Sequence, residues 1–407
     1  MMRLPQILAA GAVCLLLAGC TGVSWTAPKK ADDRLTLKES SFHQLPGWNS
    51  DAQKQALVPL RKSCARVLKK DSGAGFGIGG FAGTSAAWQD ICRKLAGAPP
   101  PTDAEARRFF EDHFTPYEVW GVKGRDGLFT GYYEPILRGS FKRHKPFLIP
   151  IYGRPADLIS VNLGDFRPEL KGETLMGRVE KKKLVPYYKR TEIEKGALKK
   201  KHAEIVWVDG AVDAFFLHIQ GSGQIRMDNG RIVRVGYAAQ NGQPYTAIGR
   251  EMMRQGFLEK GNVSMQSIRD WLEKNPGRAA DVMNLNTSYI FFNRLKKGDG
   301  PLGAEGVPLT PRRSLAVDRK KIPYGVPVWL DADEPDGKDR LQRLMIAQDT
   351  GGAITGAVRG DFFWGSGKEA AHKAGLMKSK GRSWILLPKS VQVPEEKIRI
   401  SDPGYNQ

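Results

Sequence analysis

Residues 347–367 read AQDTGGAITGAVRGDFFWGSG, and the rest of the chain is best read outward from them. Two aspartates, Asp349 and Asp361, sit here among six glycines. Leu341–Ala347, just upstream, has the apolar content of a short strand. Asp349-Thr350-Gly351-Gly352 then reads as a turn, because paired glycines allow positive φ and leave room beside the backbone. The small apolar pairs Ala353-Ile354 and Ala357-Val358 predict a second buried crossing before Asp361. Phe362, Phe363 and Trp364 follow directly. A carboxylate against three aromatic rings is poorly hydrated, which disfavours its charged form and raises its pKa. A general acid working near neutral pH requires that shift. The plainer alternative is that Asp361 caps the next element or makes a surface ion pair with Arg359.

Composition bounds the frame around this stretch. The chain has 407 residues, 41% hydrophobic and 26% charged, an ordinary globular balance with length for two cored domains. Arg3 followed by the apolar run Ile7 to Ala18 forms a signal segment, too short to span a bilayer as a mature helix. Leu17-Ala18-Gly19-Cys20 has the form of a lipobox, which makes residues 1–19 a signal peptide and Cys20 a lipidated N-terminus. Thr21 after the cysteine points to outer-membrane sorting, with the protein on the periplasmic face. The formal net charge of +20 falls by only one when the signal is removed. Such a balance calls for an acidic partner. Nucleic acid fits by charge but not by compartment; the carboxylate-bearing cell wall and anionic lipid headgroups fit both. Cys64 and Cys92 remain after processing. In an oxidising compartment they could pair, adding about 3 kcal/mol for a loop of that length.

Along the chain, residues 20–50 are polar and read as a tether from the membrane. Asp51–Leu68, Trp88–Leu95 and Asp103–His113 have helical spacing, with Thr102 and Glu105 placed to cap the third. The Gly-rich run 71–83 lacks a Walker lysine and reads as a loop. From Phe114 the pattern turns to strands: Tyr117–Gly121, Leu128–Tyr133, Phe147–Tyr152 and Ile205–Val208. Asn229-Gly230 makes the turn of a hairpin. Thr246–Gln255 and Ser264–Asn275 are helical, and Asn275-Pro276-Gly277 reads as a stop. The segment Asp165–Glu204 is strongly basic and reads as a solvated face. Short strands around Pro and Gly turns fill the last third, the pattern of a small β-barrel. The strand-rich middle, about 136–275, fits a second domain inserted into the first.

Five stretches together resemble the membrane-bound lytic murein transglycosylase A family. They are FTGYYEP at Phe129–Pro135, FFLHIQGSG at Phe215–Gly223, NTSYIFF at Asn286–Phe292, SLAVDRKKIPYGVPVWLD at Ser314–Asp331, and the opening stretch from Gln348 to Gly367. The resemblance implies a mainly β fold with peripheral helices. A double-psi β-barrel (51–132 plus 278–390) would carry an inserted β-rich substrate domain (133–277), with a wide groove between them and a flexible tail at 391–407. The implied reaction cleaves the β-1,4 bond between N-acetylmuramic acid and N-acetylglucosamine in peptidoglycan, with a 1,6-anhydro product. The muramic acid O6 attacks in place of water, so one carboxylate suffices where a common glycosidase needs two. By motif that residue is Asp361, with Asp349 in support. The Asp349–Asp361 spacing is one residue longer than in the family, the extra residue falling in the Gly356–Gly360 turn. Thr130, Tyr132, Gln220, Ser222, Gly351 and Gly352 are the implied substrate contacts. For Gln220 the plainer alternative is a strand-end turn. Only one of Tyr132 and Tyr133 can line the groove, because adjacent strand residues face opposite ways. Asp318 and Arg319 resemble a framework pair. No metal or organic cofactor is implied, and other wall-synthesis proteins are conceivable partners. Two alternatives stand: a non-catalytic peptidoglycan-binding lipoprotein on the same barrel, and a hydrolase using both aspartates.

Overall fold

The computed structural model describes residues 34–393 except 98, 99, 101, 171, 296–299 and 338. The signal segment, Cys20 and the chain beyond Val393 lie outside these residues. Within them the body begins earlier than expected. Strand β1 (Thr36–Glu39) pairs antiparallel with β2 (Phe114–Trp120), and Leu35, Leu45 and Trp48 are buried. Residues 34–50 therefore dock on the fold, a correction to the tether reading. Three apolar residues at irregular spacing have no periodicity to detect, yet Trp48 packs edge-on to Trp329 at 5.1 Å.

Helices α1 (Lys54–Val67), α2 (Ser85–Gly97) and α3 (Asp103–His113) form where helical spacing predicts them. Thr102 and Glu105 make the expected reciprocal cap on α3. The Cys64–Cys92 disulfide joins α1 to α2. Strand β3 (Gly127–Glu134) follows β2.

From β3 the chain leaves for a separate set of strands. These are β4 (Ile136–Ser140), β5 (Ile149–Tyr152), β6 (Ile159–Asn162), β7 (Thr174–Glu180) and β8 (Lys183–Pro186). After the short helix α4 (Arg190–Glu194) come β9 (Glu204–Val208), α5 (Ala211–Gln220), β10 (Ser222–Met227) and β11 (Ile232–Gln240). Helices α6 (Ile248–Arg254), α7 (Met265–Lys274) and α8 (Pro276–Asn284) lead to β12 (Ile290–Leu295). Helix α7 stops at Lys274 with Asn275 as its cap, as expected, but Pro276 also begins a new helix, α8, because a first-turn position has no N–H bond to lose. Six of these strands form one sheet in the order β12-β11-β10-β4-β9-β5, and β6-β7-β8 form another.

The chain then returns with β13 (Ser314–Val317), β14 (Pro327–Asp333), β15 (Arg340–Asp349), β16 (Arg359–Ser366), α9 (Lys368–Leu376) and β17 (Lys378–Pro388). With β1, β2 and β3 they make an eight-stranded sheet ordered β1-β2-β17-β14-β15-β13-β16-β3. Strand β17 also pairs with β3, so six strands close into a circuit. The fold is thus strand-rich with peripheral helices, and among the described residues the strands between β3 and β13 pair only with one another, as an insertion. The crossing expected at 353–358 is absent. Those residues form turns, although Ile354 and Ala357 are buried, and the strand starts at Arg359. Trp329, Leu344, Ile346, Phe362 and Ile385 sit in the main core, at about 1.5–3 kcal/mol for each large side chain buried.

Candidate active site

Sheet register brings the two aspartates into one row. Thr130 on β3 pairs with Asp361 on β16, Asp361 pairs with Ala316 on β13, and Ala316 pairs with Asp349 on β15. Paired residues on adjacent strands share a face, so Thr130, Asp361 and Asp349 project the same way. One strand separates the two acids, placing their Cα atoms about 9.5 Å apart at a strand spacing of about 4.8 Å.

Asp361 is half-buried in mid-strand and is not a cap. Thr130 Oγ1 donates to its Oδ1 at 2.7 Å. Arg359 makes no direct bond to it. Its Nη2 donates to Thr130 Oγ1 at 2.9 Å, which turns the threonine proton toward the carboxylate. Burial pushes the Asp361 pKa up, while the Thr130 bond and the Arg359 charge pull against it. The three-ring surroundings need correction. Strand alternation sends Phe362 and Trp364 into the main core, where they pack at 4.6 Å. Phe363 alone stays beside the row, in a small apolar cluster with Tyr132, Leu309 and Ala316.

Asp349 is bound on both oxygens. Oδ1 accepts from the Ala304 and Thr350 N–H groups, each at 2.9 Å, and Oδ2 accepts from the Tyr132 hydroxyl at 2.9 Å. Burial raises its pKa to about 6 in spite of those three bonds. Tyr132 thus belongs to the row, whereas Tyr133 packs into the main core as alternation requires. Within the 302–306 loop, burial lifts Glu305 to about 7, against a 2.6 Å bond from Ser63.

The remaining expected residues are placed differently. Gln220 is the last residue of helix α5, not the end of a strand. Its Oε1 accepts the Tyr133 N–H at 3.0 Å, tying the insertion to β3. Ser222 opens β10, opposite Gly236. Gly351 and Gly352 are exposed, and neither has positive φ; that conformation falls to Gly356 at φ 106°. The Gly356 N–H donates to Asp318 Oδ2 at 2.8 Å, so Asp318 pins the loop between the acids. At Gly131 a Cβ would lie 2.6 Å from Trp364 Nε1 and 2.8 Å from the Ala374 backbone, which explains the glycine in FTGYYEP.

Sequence reasoning missed Tyr245. It lies 43% exposed in the loop before α6, and desolvation of its hydroxyl, with a further push from the Asp361 charge, raises its phenol pKa, which puts it within electrostatic range of that acid. Only the Asn241-Gly242 and Pro244 turn signals marked that loop. Among the described residues no group of three or more His, Cys, Asp or Glu is placed to hold a metal ion.

Comparison with known proteins agrees with this architecture. The family profile for the MltA specific insert domain matches residues 128–293, and the profile for the 3D domain matches 313–387. The membrane-bound lytic murein transglycosylase A of Escherichia coli strain K12 is 32% identical over 281 residues, 66% of this chain and 69% of that protein. A membrane-bound lytic murein transglycosylase from Agrobacterium tumefaciens superposes with a TM-score of 0.76 at 33% identity, covering 87% of this chain and 98% of its own. The E. coli MltA structure with bound chitohexaose gives 0.63 at 25% identity, covering 86% and 94%.

Proposed function

Because this chain belongs to the membrane-bound lytic murein transglycosylase A family, we propose that it cleaves the β-1,4 bond between N-acetylmuramic acid and N-acetylglucosamine in peptidoglycan, leaving a 1,6-anhydro ring. As a lytic transglycosylase it breaks the glycan without adding water. Protonated Asp361 gives its proton to the departing glycosidic oxygen as the bond to C1 breaks. The resulting carboxylate takes the proton of the muramic acid O6 hydroxyl as O6 bonds to C1. Asp361 ends protonated, ready for the next strand, and no second carboxylate is consumed.

The observation that carries this reading is the unequal occupation of the two acids. Asp349 has both oxygens engaged by three donors. Among the described residues Thr130 is the one hydrogen-bond donor to Asp361. That contrast supports Asp361 as the acid and base and Asp349 as the residue that holds the 302–306 loop and Thr350. It weighs against a hydrolase in which Asp349 activates water. The closed circuit of six strands is read as the double-psi β-barrel. The space between the row and the Tyr245 loop is read as the groove for the glycan strand, with Thr130, Tyr132, Gln220, Ser222, Gly351 and Gly352 along it. Lipidation at Cys20 would hold the enzyme at the outer membrane.

Digestion of purified sacculi tests the reaction. The wild type is expected to release muropeptides lighter by one water than hydrolysis products, and Asp361→Asn to release none. Reducing-end products would establish the hydrolase instead. Binding without turnover would leave a glycan-binding lipoprotein.

A further inference from the structure

The β6-β7-β8 sheet turns an apolar face outward. Val161 pairs with Leu175, Ile159 with Gly177, and Val179 with Leu184, while Gly177 also pairs with Pro186. By register, Ile159, Val161, Leu175, Val179, Leu184 and Pro186 share one side. That side is uncovered: Leu175 is 51% exposed, Val179 61% and Leu184 46%. The other side is the one that packs. Met176 joins the Tyr187 and Tyr289 cluster, and the Arg178 guanidinium lies 3.9 Å from the Tyr188 ring. A half-covered antiparallel sheet ordinarily keeps its solvent face polar, and contiguous exposed apolar surface marks a contact site.

Charge along the sheet is uneven. Lys181, Lys182 and Lys183 stand exposed at the β7–β8 turn, and the one acid beside them, Glu180, is held by Arg178 at 3.0 Å. The exposed acids Asp165, Glu169 and Glu173, with Arg167 among them, lie at the opposite end, beyond the start of β7 and about 20 Å away at the usual rise per residue. An apolar patch bordered at one end by three lysines is complementary to a surface with hydrocarbon below and negative charge above.

We propose that this outward face is a membrane-contact surface for an anionic phospholipid bilayer. Leu175, Val179 and Leu184 enter the headgroup boundary, and the 181–183 turn meets the acidic headgroups first. The folded body would then touch the bilayer through its own surface, independently of any acyl anchor.

The test uses the chain from Thr21 onward, which keeps every described residue and carries no acyl group. It is floated with vesicles of phosphatidylcholine alone or mixed equally with phosphatidylglycerol. Co-flotation with the mixed vesicles only, weakened by added salt, is expected. The double variant Val179→Asp/Leu184→Asp should cut the bound fraction about tenfold or more. Lys182→Glu/Lys183→Glu should cut binding to the anionic vesicles by a similar factor while leaving the apolar face intact. All four side chains are exposed and stand apart from the aspartate row, so melting temperature and muropeptide release should not change. The inference fails if the parent does not float. It also fails if both variants float as the parent does, or if they instead lose sacculus binding or self-association measured by sedimentation.

Discussion

The insertion and the strand circuit both bury ionisable groups, and they treat them in opposite ways. In the insertion, Arg190 is 2% exposed. Its Nε donates to the Asn286 carbonyl at 2.9 Å and its Nη2 to the Ser288 carbonyl at 2.7 Å, with the Phe215 and Tyr289 rings about it. His218 beside it is held well below its usual pKa by burial and by Arg190. The neutral ring accepts the Ile290 N–H on Nδ1 at 3.1 Å. These groups are bonded inward and organise the fold. In the circuit, Asp349 is bonded inward in the same way, but Asp361 is half-buried, lifted in pKa and held by a single donor. Burial alone does not mark a catalytic group. What supports the role proposed for Asp361 is the open oxygen it keeps beside Thr130 in the row.

The sharpest way to break this contrast is to exchange the two outcomes. Asp361→Asn should lower anhydro-muropeptide release by about a thousandfold or more while the thermal midpoint stays within a few degrees, since it removes a proton donor and not a packing element. Arg190→Leu should do the reverse. It strips the donors from two buried carbonyls and should lose about 3 kcal/mol in urea unfolding, with normal turnover in the fraction still folded. Full stability with lost activity in that variant would overturn the division.

Stability against pH sharpens the comparison further. The Asp349 carboxyl is raised to about 6 from 3.8, and Glu305 to about 7 from 4.5. Between those values the folded chain holds more protons than the unfolded one, so stability falls as pH rises from about 4 toward 7. Asp349→Asn should flatten the lower part of that fall, on the order of 1–2 kcal/mol, and Glu305→Gln the upper part, both read from urea midpoints across the range. Tyr132→Phe removes one of three donors to Asp349 and should lose about 1 kcal/mol of stability. Thr130→Val removes a bond that favours charged Asp361. Its pKa should rise further, moving the alkaline limb of the rate profile to higher pH; an unmoved limb would detach Thr130 from the acid.

Much of the site was legible as local pattern. The glycine-flanked Asp361, the FTGYYEP strand and the capped α3 are signals carried by a few consecutive residues. The strand-end alternative for Gln220 fails because the residue closes helix α5, and AVDAFFLHIQ is apolar on too many positions for strand and helix to be separated by period alone. Residues 34–50 and Tyr245 gave no usable period, since each depends on surfaces supplied by distant segments. The outward apolar face of β6–β8 was hidden for a related reason: alternation shows that a strand has two faces but not which one the body covers.

By itself, then, the chain's order of residues determined helices α1 to α3, α6 and α7, most of its strands, the two acids and the cysteines able to pair, because propensity, capping and periodicity act over a few neighbours. Only the tertiary structure decided that Thr130, Asp361, Ala316 and Asp349 align across four strands, that Arg359 acts through Thr130, and that one acid is fully bonded while the other is left open. Those facts depend on the register between segments up to 231 residues apart, and register is fixed by the closing of the sheet and not by any one strand.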